Sequence, residues 1–220
     1  MHPRTDMTNR FPLFKQAVES VKDKKILDFG GNRGNLLYFS EGEINQTDYF
    51  CIDVESDSIE NGKNEFPDAT FLHWNKFSPM YNHNGNKDEP LPVLDIKFDI
   101  AFAFSVITHT DWQEFKLYVK YLMQYAKKII ISFIDIDNIQ VKEYFYKKRC
   151  DEYGNCVDFR KINDCDYFYL VNNSAVIKDT EVYKEKCKHF INFYRPSFLE
   201  NEFQSNIIHS IPHELLLINS

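Results

Sequence analysis

Residues 24–37 place an acidic side chain, a glycine cluster and two apolar runs at spacings suited to a nucleoside-containing ligand. Ile26-Leu27-Asp28-Phe29 reads as a short strand, Gly30, Gly31 and Gly34 as a turn, and Leu36 as the start of a helix. Glycines let the backbone bend tightly and approach a ligand where a Cβ would intrude. The helix N-terminus beyond them offers unpaired N–H groups to a ligand's polar end. Asp53 lies 53 − 34 = 19 residues past the last of these glycines and closes a second apolar run, Tyr49-Phe50-Cys51-Ile52. A carboxylate at the end of a second strand is positioned to accept from ribose hydroxyls.

The order of the glycines narrows the ligand. A dinucleotide fingerprint runs G-x-G-x-x-G; here the order is Asp28-x-Gly30-x-Asn32-x-Gly34, with an acidic residue inside the motif. This resembles motif I of the class I S-adenosylmethionine-dependent methyltransferases, D/E-x-G-x-G-x-G, with Asn32 at the middle glycine. Further stretches follow in the same family order. Cys51-Ile52-Asp53-Val54-Glu55 resembles the second motif and Ala69-x-Phe71-x-x-x-Asn75 the third. The run from Phe98 to His109 is similar to the fourth strand and its loop, and Lys127–Phe133 to the fifth strand. The resemblance covers residues 20–135.

That resemblance implies S-adenosylmethionine as cofactor. Asp28, Gly30, Gly31 and Gly34 would cradle its methionine end, and Asp53 would bind the ribose. Val54, Trp74 and Asn75 would flank the adenine, with Phe104 beside the cofactor. Arg10 or Arg33 would pair with the cofactor carboxylate, since a guanidinium meets a carboxylate bidentately. His109, after the fourth strand, is the candidate general base, because a neutral imidazole suits proton abstraction. In the family this histidine is also often a structural hydrogen-bonding residue. Tyr81, His83, Tyr144 and Tyr167 are candidates for the acceptor pocket. The Asn/Asp-Pro-Pro-Tyr/Phe motif of adenine and glutamine N-methyltransferases is missing, and Ser105-Val106-Ile107-Thr108 stands there instead. The expected activity is therefore methyl transfer to a small-molecule or sugar-like acceptor, with O-methylation favoured over N-methylation. An NAD-dependent Rossmann oxidoreductase and a non-catalytic nucleoside-binding module are the alternatives, since fold alone does not fix function.

The elements needed to position these residues form an α/β fold, a doubly wound, mostly parallel Rossmann-like sheet in one domain over residues 1–220. Apolar spacing predicts a helix over 11–22, so residues 1–23 would supply an N-terminal element covering the ligand site. A helix is expected at 34–40, another at 57–65 and a strand at 69–73. Residues 76–96 read as a turn-rich polar loop, with a mobile surface loop the simplest interpretation. A helix over 111–126 with Asp111 near its N-cap precedes a strand at 128–133. Residues 196–203 read as a helix, and 206–210 with 214–218 as an antiparallel C-terminal hairpin. Residues 136–193 are then an inserted α+β lid after the fifth strand, rich in aromatics, with a strand at 166–171.

Composition restricts the partners. A formal net charge of −7 argues against a nucleic-acid substrate. No apolar run approaches the length of a membrane span, and the N-terminus has no signal-peptide core. Five cysteines without a secreted spacing point to a reducing cytoplasm. Cys150, Cys156, Cys165 and Cys187 with His189 lack zinc-site spacing, so no metal is expected. A monomer or a homodimer is expected.

Overall fold

The central strands are buried on both faces, and their successive side chains point alternately into two layers on opposite sides of one sheet. The computed structural model describes residues 10–135, 167–171, 190–208 and 214–219. Strands β1 (Ile26–Phe29), β2 (Tyr49–Asp53), β3 (Thr70–His73), β4 (Phe98–Ala103) and β5 (Ala126–Phe133) are parallel. Two further strands of this sheet, β8 (Asn206–Ile208) and β9 (Glu214–Asn219), are antiparallel, giving the order β3-β2-β1-β4-β5-β9-β8. Leu27, Phe29, Ile52, Ala101, Ala103, Ile129 and Ile131 point into one layer; Ile26, Tyr49, Cys51, Ile100, Phe102 and Ile130 point into the other. The expected doubly wound sheet with its antiparallel C-terminal strands is what forms.

Helices cover both faces, as a parallel sheet requires. Helices α1 (Arg10–Ala17), α2 (Asn35–Phe39) and α3 (Ser56–Glu65) contribute to the layer containing Tyr49 and Phe102. Helices α4 (Trp112–Tyr125) and α5 (Pro196–Phe203) contribute to the layer containing Phe29 and Phe133. In α4 the core face is Phe115, Tyr118, Val119 and Leu122. Burying Phe115 and Leu122 contributes roughly 1.5–3 kcal/mol each. Asp111 and Glu114 form a capping box at its start, with Asp111 Oδ1 accepting from the Glu114 amide at 2.8 Å.

Three local expectations change. The first helix stops at Ala17 rather than continuing to 22; Lys24 N donates to Val21 O and Asp23 has φ 57°, so the chain turns before β1. Phe14 of α1 packs edge-on to Phe102 at 5.2 Å, which docks α1 on the sheet. The loop at 76–96 is hydrogen-bonded rather than featureless, with isolated bridges between Lys76 and Asn86 and between Ser78 and Asn82. Of the insertion, two strands are described, β6 (Tyr167–Val171) and β7 (Phe190–Tyr194), paired antiparallel in a separate sheet. Tyr194 N donates to Ile134 O at 2.9 Å, and the fully buried Tyr194 ring meets Trp112 and Phe115, so β7 is anchored where β5 ends.

Strand parity also decides the place of Asp28. It shares the parity of Ile26 and is fully buried, where its Oδ2 accepts from the Tyr49 hydroxyl at 2.5 Å. Gly31 lies directly over this pair: a Cβ there would stand 2.6 Å from Asp28 Cγ and 2.7 Å from Cys51 Sγ. Gly31→Ala is therefore expected to destabilise the fold by about 1–3 kcal/mol through overpacking. Chemical denaturation measures this, and an unchanged midpoint would show that the layer has room to spare.

Candidate active site

A cavity of about 420 Å³ opens at the carboxyl ends of β1 to β4, where the strand order reverses between β1 and β4. In doubly wound folds this crevice is the ligand site. Its walls come from four junctions. Phe29 ends β1, and Gly30 and Asn32 follow it; Asp53 and Val54 close β2; Trp74, Lys76, Phe77, Ser78, Pro79 and Tyr81 follow β3; Phe104, Ser105 and Val106 follow β4. His109, Thr110, Glu114 and Tyr118 complete it from the 3-10 turn Ile107–His109 and from α4.

Asp53 ties two of these junctions together. Its Oδ2 accepts from Asn32 N at 2.7 Å and its Oδ1 from Glu55 N at 2.9 Å, although the residue is only 9% exposed. Asn32 stands at φ 56°, and its Nδ2 donates to Glu55 Oε2 at 2.9 Å. The side chain that replaces the middle glycine thus points to the β2 exit and cross-links the turn. Gly30 has φ 74°, and a Cβ on it would lie 2.3 Å from Val106 Cγ2. The turn after β1 and the loop after β4 approach too closely there for any side chain.

The loop after β3 is built on asparagines. Asn75 O accepts from Asn86 N at 2.8 Å and Asn75 Oδ1 from Asn82 Nδ2 at 3.2 Å. Asn82 Nδ2 also donates to Lys76 O at 3.1 Å. This folds Phe77, Ser78, Pro79 and Tyr81 over the cavity. Trp74 is held by its Nε1 donating to Pro90 O at 2.8 Å, and its ring meets Phe29 and Tyr118.

On the opposite wall Ser105 is left-handed at φ 59°, a conformation costing a non-glycine residue about 1–2 kcal/mol. It is held by its amide donating to Ser132 Oγ at 2.7 Å and by Thr108 Oγ1 donating to its carbonyl at 2.8 Å. The turn that follows brings His109 to the cavity, where its ring meets Tyr81 edge-on at 5.7 Å. Strand β7 packs against this turn. Burial, and then the charges of Glu114 and Asp111, push the Tyr118 phenol well above its ordinary pKa, so it stays protonated.

The structure brings Gly30, Asp53, Val54, Trp74, Phe104, Tyr81 and His109 to one cavity. Other residues assigned from the sequence lie elsewhere. Asp28 and Gly31 sit within the layer beneath the turn, and a Cβ on Gly34 would meet Phe71 and Phe66 rather than the cavity. Asn75 is spent on the loop, and Arg33 and His83 are outside the lining. Arg10 opens α1, of which no residue lines the cavity, so the described part of the N-terminal segment does not cover it. The side chains of Arg10 and Tyr167, and all of Tyr144, lie outside the described residues, as do the four cysteines of the insertion. Among the described residues no group of His, Cys, Asp or Glu is placed to hold a metal, and no helix is long and apolar enough to cross a membrane.

Sequence reasoning missed Asn32, Lys76, Phe77, Lys87, Asp88, Ser105, Glu114 and Tyr118 as cavity residues. A signal existed for Glu114 and Tyr118, which are four apart and share one face of a helix. The loop residues carried none, because their placement depends on hydrogen bonds within the loop.

Comparison with known proteins agrees with this geometry. Residues 27–128 match the profile of the family described as Methyltransferase domain. No curated protein matches the sequence. Among solved structures, an S-adenosylmethionine-dependent methyltransferase from Clostridium acetobutylicum aligns with TM-score 0.51 at 14% identity, covering 88% of this chain and 82% of that one. The glycopeptide N-methyltransferase MtfA complexed with S-adenosyl-L-homocysteine aligns with TM-score 0.59 at 10% identity, over 100% and 92%. The N-terminal domain of EvdMO1 with S-adenosylhomocysteine bound aligns with TM-score 0.52 at 10% identity, over 98% and 82%. These likenesses are of fold.

Asp53→Ala removes the carboxylate that holds both the glycine turn and the β2 exit. S-adenosylhomocysteine affinity should fall at least tenfold, since hydrogen bonds to a charged group contribute about 1.5–3 kcal/mol. Asn32→Ala keeps its amide bond to Asp53 and should weaken binding less. Calorimetry on both variants checks the ranking; equal affinities for wild type and Asp53→Ala would remove Asp53 from the site.

Proposed function

We propose that this chain, an S-adenosylmethionine-dependent methyltransferase in fold and in the family matched over residues 27–128, methylates a hydroxyl of a small, sugar-like acceptor. The observation that carries the reading is His109 on the wall of the same cavity as Gly30 and Asp53. The residues fit the cofactor. Asp53 is a carboxylate on the cavity wall, held by two backbone amides, and a carboxylate accepts from a ribose diol. Val54 and Phe104 supply apolar surface for adenine, and the bare backbone at Gly30 admits close approach. The matched family favours this reading over a nicotinamide enzyme.

When bound, the cofactor supplies an electrophilic methyl group on a positively charged sulfur. The chain's own task is to align the acceptor, exclude water and take up a proton. A hydroxyl is a weak nucleophile while protonated, so His109 accepts its proton as the oxygen attacks. Tyr81 packs on the imidazole edge and restrains its orientation. The aromatic wall of Phe77, Tyr81 and Tyr118 offers flat apolar faces against which a sugar ring packs.

We place the acceptor between the asparagine-built loop and the insertion at 136–193, because β7 packs against the turn that carries His109. Replacing 136–189 with a short linker should spare S-adenosylhomocysteine binding and abolish transfer; transfer at an undiminished rate would refute a lid. His109→Asn should lower turnover of a hydroxyl acceptor about 10²–10⁴-fold, with little change in cofactor affinity. Near-normal turnover with a lower melting temperature would assign His109 a structural role instead.

A further inference from the structure

We propose that Glu55, which is not among the residues lining the cavity, is a positioning residue for the cofactor: it draws the Asn32 side chain to the β2 exit and so keeps clear the space over the glycine turn. This rests on the methyl-transfer reading and adds to it a residue that acts only through another. Asn32 lines the cavity with Gly30 and Asp53. Its backbone is left-handed at φ 56°, a conformation that asparagine tolerates better than most side chains. Three hydrogen bonds close a ring through Asp53. Asn32 N donates to Asp53 Oδ2 at 2.7 Å, Glu55 N donates to Asp53 Oδ1 at 2.9 Å, and Asn32 Nδ2 donates to Glu55 Oε2 at 2.9 Å. Two carboxylates thus leave β2 two residues apart, and Asn32 donates to both, from its backbone to one and from its side chain to the other. A glycine at this position would make only the first of those bonds.

Glu55 is the main anchor of that side chain. The other hydrogen bond to it, from Asn35 Nδ2 to Asn32 Oδ1, is 3.5 Å long, at the outer limit for such a bond. Asn35 is 3% exposed, and its Oδ1 has no hydrogen-bond partner among the described residues. It is an unfilled acceptor on the side chain adjoining Asn32, and buried acceptors are ordinarily filled. The Glu55 carboxylate is itself held, because Ser58 Oγ donates to the same Oε2. Glu55 stands at the N-cap position of α3 but makes no side-chain capping bond there, so its carboxylate serves the turn rather than the helix backbone. A charge-assisted bond of this kind orders the Asn32 amide before a ligand arrives. Without it the amide samples its rotamers over the turn, and only the fraction of molecules with the space clear binds cofactor.

A double-mutant cycle read by calorimetry with S-adenosylhomocysteine on the full chain tests this. Glu55→Ala should weaken binding about tenfold. Glu55→Gln keeps an acceptor oxygen for the Asn32 amide and should recover most of that loss. In an Asn32→Gly background, adding Glu55→Ala should change affinity by no more than about twofold, because glycine leaves no side chain to restrain. A role confined to α3 or to the charge of the β2 exit would give the same loss in both backgrounds. Wild-type affinity in Glu55→Ala overturns the proposal. So does an equal loss in both backgrounds, which would have Glu55 act on the ligand directly or through the helix. Failure of the wild-type protein to bind S-adenosylhomocysteine would instead sink the methyl-transfer reading, and this proposal with it.

Discussion

The Asp53 carboxylate accepts one amide from the turn after β1 and another from the segment after β2, and the shape of the cavity depends on that shared anchor. Parallel strands β1 and β2 are in register with Phe29 opposite Ile52, so their exits lie side by side. The chain leaves β1 through a left-handed Asn32, whose N–H must find an acceptor, and Asp53 is the nearest carboxylate. A buried carboxylate is tolerable only when such donors converge on it. The same two bonds therefore fix the turn and hold the carboxylate at the cavity wall. A carboxylate held in this way is preorganised and loses little freedom when a ligand arrives.

The opposite wall is held by different means. The segment between β3 and β4 has no helix to hydrogen-bond its backbone, and Asn75, Asn82 and Asn86 perform that task from within the loop. Asparagine suits the work because one side chain both donates and accepts, and can bond locally without a long reach. Its composition resembles that of a mobile loop, since the same residues favour solvated turns. What distinguishes the two cases is whether the amides find one another, and that depends on a turn geometry that includes Gly85, where a Cβ would lie 2.6 Å from Lys76 O.

The sheet was largely legible because its strands alternate between two apolar layers, and α5 was legible because Pro196 opens a short apolar repeat before a polar stop. The same parity explains which of the motif residues line the cavity and which do not. Asp28 and Gly30 are neighbours in the motif, yet Asp28 is still in the strand and faces the Tyr49 layer, whereas Gly30 has left it and faces the cavity. Trp74 and Asn75 divide in the same way, one turned to the cavity and the other to the loop. A motif records which residues are near a site. It does not record which of two consecutive side chains enters it, because that is set by where the strand ends.

Helix α4 shows why its side of the cavity was the harder half to read. Phe115, Val119 and Leu122 pack the core while Glu114 and Tyr118, on the adjoining edge of the same helix, reach the cavity. An apolar stripe wide enough to seat a helix on a sheet spans about 100°, so its edge residues belong to the core or to a cavity according to what lies above them. Here the Asp111–Glu114 box sets where the helix begins. That start fixes the rotation of the whole face, and with it the presentation of Glu114 and Tyr118 together. The 3-10 turn carrying His109 ends just before the box, so His109 and Glu114 are joined by only a few residues of constrained backbone. Short rigid spacing of this kind holds two groups of one wall in a fixed relation, so that a ligand meeting both is held in one orientation.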